Sequence, residues 1–185
     1  MFLLGWEVLI VSWCAWAYPF IFRAPHHQKR PSITALGPTR AGLFLESIAI
    51  VMAFACRLPA DSPPEWWRIA GAIVCGPIAA VLSWTAVRHL GRQFRVHAGL
   101  YDDHELVTGG PYATVRHPIY SSLLAMLGCT LFVLTPWQWA VLSLALFVAG
   151  TEIRVYTEDA LLASRFGESF WAYRKRVPAY LPFVR

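Results

Sequence analysis

Five apolar blocks separated by polar and proline-containing stretches give this chain its outline. Phe2 to Phe22 is apolar except for Glu7, Ala41 to Cys56 except for Glu46, and Ile69 to Val87 carries no charge. Ile119 to Leu134 and Trp137 to Gly150 follow, parted only by Thr135 and Pro136. At about 1.5 Å per residue, a helix of roughly 20 residues crosses a hydrocarbon core of about 30 Å. The pattern therefore predicts an all-α, polytopic transmembrane bundle of about five helices, the shorter fourth one standing nearly upright. So tight a turn at Thr135-Pro136 predicts an antiparallel hairpin over 119–155. In the third block Gly71, Gly76, Ala79 and Ala80 allow close helix approach, Pro77 predicts a kink, and Trp66 and Trp67 before it suit an interfacial aromatic belt. Residues 23–40, with prolines at 25, 31 and 38, read as a basic loop. Ala15-Trp16-Ala17 has the form of a signal-peptidase site, but no basic residue precedes the apolar run, so the first block reads as a retained transmembrane helix.

Composition agrees with the pattern. Of 185 residues, 57% are hydrophobic and 15% charged, and the mean hydropathy is +0.46. A net charge of +5 raises the question of nucleic acid, but the basic residues sit in loops between apolar blocks. Topology and contacts with membrane lipid headgroups account for them, and no nucleic-acid partner is expected. The basic loops follow the first, third and fifth blocks, which predicts an amino terminus outside and a carboxyl terminus, with all polar clusters, in the cytoplasm. Residues 1–87 then form an amino-terminal set of transmembrane helices, and 88–185 a core with a cytoplasmic carboxyl-terminal segment. Cys14, Cys56, Cys75 and Cys129 lie in or beside apolar blocks without CxxC spacing. They read as small apolar side chains, and no metal site is expected.

Two polar clusters flank the predicted hairpin. The first, HELVTGGPYATVRHPIY from His104 to Tyr120, carries Arg116 and His117 before Pro118, which suits the first turn of a helix. Backbone amides at that helix start can hold an anion, or Arg116 and His117 can simply anchor the helix at headgroup level. The second cluster holds Glu152, Arg154, Glu158 and Asp159 directly after an apolar span. Arg154 and Glu158 share a helix face at i, i+4; that spacing fits either a surface ion pair or a functional cavity in a place where charge is costly. Glu7 and Glu46 are also costly in lipid and must face protein, water or a partner. Phe166 to Arg176 mixes aromatic and basic residues in the manner of an amphipathic segment on the membrane surface.

These clusters together resemble the isoprenylcysteine carboxyl methyltransferase family. The resemblance rests on HELVTGGPYATVRHPIY, the apolar hairpin, Arg154-x-x-x-Glu158-Asp159-x-Leu161 and FGESFWAYRKRVPAYLPF, and it covers roughly residues 88–185. It implies a membrane-embedded, S-adenosylmethionine-dependent methyltransferase with a cytoplasmic cofactor pocket in the carboxyl-terminal half. By the same resemblance, His104, Glu105, Leu106, Val107, Tyr112, His117, Pro118, Ile119, Tyr120 and Glu158 bind the cofactor. Arg154 faces the methyl acceptor, and Arg154 and Glu158 are the catalytic pair. His97 stands near a further cofactor contact where some members have glutamine. The implied acceptor is a lipophilic or lipidated molecule such as the carboxylate of an isoprenylcysteine. Two other classes remain open on this sequence: a membrane sterol or isoprenoid reductase using NADPH, and a non-enzymatic membrane adaptor.

Overall fold

The structure is a computed structural model and describes residues 2–23, 33–34, 36–59, 65–94, 99–100 and 105–182. Six helices account for most of them: α1 (Phe2–Phe22), α2 (Leu36–Ala55), α3 (Trp66–Leu90), α4 (Pro118–Leu134), α5 (Trp137–Phe166) and α6 (Glu168–Arg176). A two-residue antiparallel pair, β1 (Ile33–Thr34) with β2 (Gly99–Leu100), sets Ile33 opposite Leu100 and joins the chain before α2 to the chain after α3. Helices α1, α2, α3 and α5 are long and apolar enough to cross a membrane; α4 is shorter, at 17 residues. The expected all-α transmembrane bundle is therefore present.

Helix α4 is the innermost element because apolar residues surround it on both sides. Met126, Cys129 and Val133 pack against Leu9 of α1 and Ala72 and Ala79 of α3, while Leu127 packs against Ala49 and Ala53 of α2 and Phe147 of α5. The outward positions, among them Val11, Val51, Val74, Val81 and Val141, are apolar as well, as lipid requires. Polar side chains inside the bundle are answered by neighbouring helices: Trp13 Nε1 donates to Thr130 Oγ1 and Trp16 Nε1 to Ser122 Oγ, both at 3.1 Å, and Ser143 Oγ donates to the Ala49 carbonyl at 2.7 Å. Such bonds hold helices where apolar surface has no solvent to escape.

Several boundaries differ from the hydropathy pattern. Helix α2 starts at Leu36, five residues before the apolar block, since Pro38 falls in its first turn, where a missing N–H breaks no helical bond. Trp66 and Trp67 open α3 instead of preceding it. Helix α5 runs on for 30 residues and carries the charged cluster on the same rod as the apolar span, because that cluster finds partners along α2 and α4. The turn at Thr135-Pro136 does reverse the chain, yet α4 packs chiefly along α3 and α5 chiefly along α2. Residues 24–32 of the basic loop lie outside the described residues.

Helices α2 and α5 approach each other closely through a pair of glycines. A Cβ placed on Gly42 would stand 2.5 Å from Arg154 Cγ and 2.6 Å from the Gly150 carbonyl oxygen, and one on Gly150 would stand 2.6 Å from the Gly42 oxygen. Gly42→Ala is expected to lower stability by about 1–3 kcal/mol through overpacking against backbone. Gly37→Ala, where nothing lies within 4 Å, should be close to neutral; thermal melting of both variants in one detergent checks the contrast.

Candidate functional site

The chain after α6 builds the site by folding back over the start of α4. The Arg116 amide donates to the Pro178 carbonyl and the His117 amide to the Ala179 carbonyl, each at 2.8 Å. Those amides are therefore not open to an anion, as the helix start suggested; the Tyr120 and Ser121 amides turn back to the His117 carbonyl. Prolines at 178 and 182 keep this segment out of a helix, so its carbonyls are available for the pairing. Ser121 Oγ adds a hydrogen bond to the Tyr180 carbonyl at 2.5 Å.

This clamp brings two charged segments together. Arg116 Nη2 donates to Asp159 Oδ2 at 2.9 Å, and its Nη1 donates to the Val177 carbonyl. His117 lies between two acids, with Nε2 2.9 Å from Asp159 Oδ1 and Nδ1 3.3 Å from Glu158 Oε2. Both ring nitrogens thus face acceptors, which the imidazolium satisfies and a neutral imidazole does not. Burial by itself would lower the His117 pKa, but Asp159 and Glu158 outweigh it and raise the pKa above the ordinary 6.5. Tyr120 donates its hydroxyl proton to Glu158 Oε1, and the Arg154 guanidinium lies 4.6 Å from the centre of the Tyr120 ring. Arg154 Nη1 also donates to Glu46 Oε2 of α2 at 2.5 Å, and Thr151 Oγ1 donates to Glu46 Oε1 at 2.9 Å. Charges this deep are costly unless they are paired in this way.

A second wall comes from the 3-10 turn at Gly110–Ala113. Gly110 has φ +59°, a backbone conformation that favours glycine, and a Cβ there would also push the exposed His89 ring aside. Tyr173 of α6 donates its hydroxyl to the Tyr112 carbonyl at 2.5 Å and fixes this turn. The Tyr112 hydroxyl is itself buried without a hydrogen-bond partner among the described residues. Burial, followed by the charge of Glu158, pushes its phenol well above 10 and keeps it a proton donor.

Of the residues singled out by resemblance, His117, Tyr120, Arg154 and Glu158 meet in one network, with Pro118 beginning α4 and the half-buried Ile119 beside it. Leu106 packs on the Phe170, Tyr173 and Val177 cluster, Val107 is half-buried and Glu105 is exposed. His97 and His104 lie outside the described residues. Sequence reasoning missed three connections: the double role of Asp159, the reach of Glu46 to Arg154, and the pairing of 178–179 with Arg116 and His117. The signals were an acid within an apolar block, a second acid beside Glu158, and a proline-spaced tail. An apolar cavity of about 730 Å³ lies between α3, α4 and α5, lined by Cys75, Leu124, Gly128, Phe132 and Leu144 and bounded towards the polar end by Tyr180.

Asp159→Asn leaves Arg116 and His117 buried against a neutral amide and is expected to cost about 3–5 kcal/mol, read as a fall in melting temperature. For His117 the folded-state pKa is raised, so its contribution to stability is full below pH 6.5 and fades as pH rises through the folded value. The difference in melting temperature between wild type and His117→Gln should therefore be widest near pH 6 and narrow towards pH 9.

The model of the isoprenylcysteine carboxyl methyltransferase family matches residues 72–164. Among similar proteins, the protein-S-isoprenylcysteine O-methyltransferase of Tribolium castaneum is 32% identical over 123 residues, covering 65% of this chain and 43% of its own length. That of Schizosaccharomyces pombe is 40% identical over 83 residues, 44% of this chain and 35% of its own length. The cobalt-zinc-cadmium resistance protein CzcN of Cupriavidus metallidurans is 41% identical over 81 residues, 43% of this chain and 37% of its own length. The aligned parts make up less than half the length of each of these three relatives. With its helical hairpin and both polar segments inside or adjoining the matched region, the chain belongs to the isoprenylcysteine carboxyl methyltransferase family.

Proposed function

We propose that this chain is an integral membrane methyltransferase that moves a methyl group from S-adenosylmethionine to the carboxylate of an isoprenylcysteine-like, lipophilic acceptor. Its polar end faces the cytoplasm, as the distribution of basic residues favours. The observation that carries the proposal is the convergence of Tyr120, His117 and Arg154 on or beside Glu158, from segments 38 residues apart. The names of the relatives point the same way.

The residues at the polar end fit the methyl donor. Glu158 keeps 26% of its side chain exposed and offers an anion to a cationic ligand, while the buried Tyr112 hydroxyl offers a donor that nothing else among the described residues uses. When bound, S-adenosylmethionine supplies a methyl group whose bond to sulfur breaks, its electron pair staying on sulfur, as an acceptor oxygen forms the new bond. A carboxylate acceptor is already a nucleophile and gives up no proton, so the site has to align and to shape the field and needs no general base. His117, held on both sides by Asp159 and Glu158, is suited to fixing Glu158 in place. Arg154 orients the acceptor carboxylate by a charge-assisted contact, against a face already set by the Tyr120 ring. The apolar cavity ending at Tyr180 supports lateral access for a hydrophobic tail, since Tyr180 packs in one cluster with Tyr120, whose ring the Arg154 guanidinium covers.

Detergent-purified protein should bind S-adenosylmethionine saturably, and Glu158→Ala should weaken that binding by roughly 10–100-fold, the worth of one charge-assisted contact. Binding of a reduced nicotinamide cofactor in its place would overturn the proposal. With S-farnesylcysteine as acceptor, turnover should greatly exceed that of a cysteine derivative lacking the tail; equal turnover of the two would sink lateral entry from lipid.

A further inference from the structure

Glu46 lies outside the stretch that matches the family, on a helix whose sequence carries no other acid. Even so it is 2% exposed and shared between two donors, Thr151 Oγ1 and Arg154 Nη1, both on α5. The backbone is arranged for this contact. Gly42, one turn before Glu46, lets α2 come within van der Waals reach of Gly150, one turn before Arg154, and neither position has room for a Cβ. Arg154 is thereby held from one side by a carboxylate of α2 and covered on another by the Tyr120 ring, which in turn bonds Glu158.

We infer that Glu46 is a positioning residue for the methyl acceptor: its carboxylate fixes Arg154 and shares its charge, so that the acceptor carboxylate is oriented by Arg154 without being gripped tightly. The inference rests on the function proposed above. Its physical basis is that a carboxylate attacks through a lone pair, and a lone pair committed to a strong charge-assisted bond is a poor nucleophile. An arginine with its charge undivided binds the ground-state acid best and lowers the rate. A carboxylate already on Nη1 divides that charge, and Thr151, by taking one oxygen of Glu46, limits how much of the charge it takes.

The test compares binding of S-farnesylcysteine with that of its methyl ester, which lacks the anionic oxygen, alongside turnover and methyl-donor affinity. Glu46→Gln keeps the shape and removes the charge. It is expected to tighten binding of the acid about tenfold, to leave the ester and the methyl donor unchanged, and to lower kcat while KM for the acid falls. Thr151→Val keeps both charges and returns Glu46 wholly to Arg154; it should weaken acid binding about threefold, again with the ester unmoved. This variant carries the test where Glu46→Gln fails to fold. Acid and ester affinities moving together, or neither moving in either variant, would overturn the role of Glu46 and leave the proposed function standing. A wild-type protein that binds the methyl donor but no acid would overturn both, and this result appears before any substitution is made.

Discussion

Asp159 is the side chain on which the polar end of this protein depends. It has 3% exposure, answers Arg116 through one oxygen and His117 through the other, and sits on a helix that crosses the bundle. An arginine and a histidine brought this far from water cost several kcal/mol each unless an acid meets them with good geometry. Once Asp159 supplies that geometry, the rest follows in order. Arg116 has a fixed place from which to hold the carbonyls of the chain after α6, His117 is pinned with its second nitrogen towards Glu158, and Glu158 is set against Tyr120.

The second constraint is steric. Ionic contacts between helices need short reach, and a glutamate has little. At the crossing of α2 and α5 two glycines remove the side chains that would keep the helices apart, and the Glu46 and Arg154 pair forms one turn further along each helix. Elsewhere the bundle uses apolar packing and single hydrogen bonds from tryptophan, serine and threonine. Among the described residues, its buried ion pairs lie where the backbone has been brought close or folded back to receive them.

Much of this fold is legible in the sequence, because hydropathy alone decides which segments leave water. The five apolar blocks correspond to α1 through α5, and Pro118 marks the start of α4 to the residue. What hydropathy does not report is where a helix ends once its polar residues have partners. Gly150 closes the apolar run but α5 continues to Phe166, since Arg154, Glu158 and Asp159 find partners on α2, on α4 and in the segment before α4 and give no local reason to stop. The site was legible in part for the same reason. Arg116, His117, Arg154 and Glu158 stand out as charges beside apolar spans, whereas their pairing is a property of distant segments: Glu46 and Arg154 are 108 residues apart.

That separation explains why the matched family region is not by itself a complete site. Residues 72–164 contain Arg116, His117, Arg154, Glu158 and Asp159, but the carbonyls that receive the Arg116 and His117 amides belong to 178 and 179, and the acid on Arg154 belongs to α2. Without residues 178 and 179, two amides at the head of α4 lose their acceptors, a loss of about 1–3 kcal/mol for each one left buried. Without α2, Arg154 loses the carboxylate that holds its Nη1 and balances its charge on that side. A recognisable pattern can therefore be confined to one stretch of the chain, while the parts that hold its polar residues in register come from segments whose only local signature is an acid in an apolar helix or two prolines in a tail.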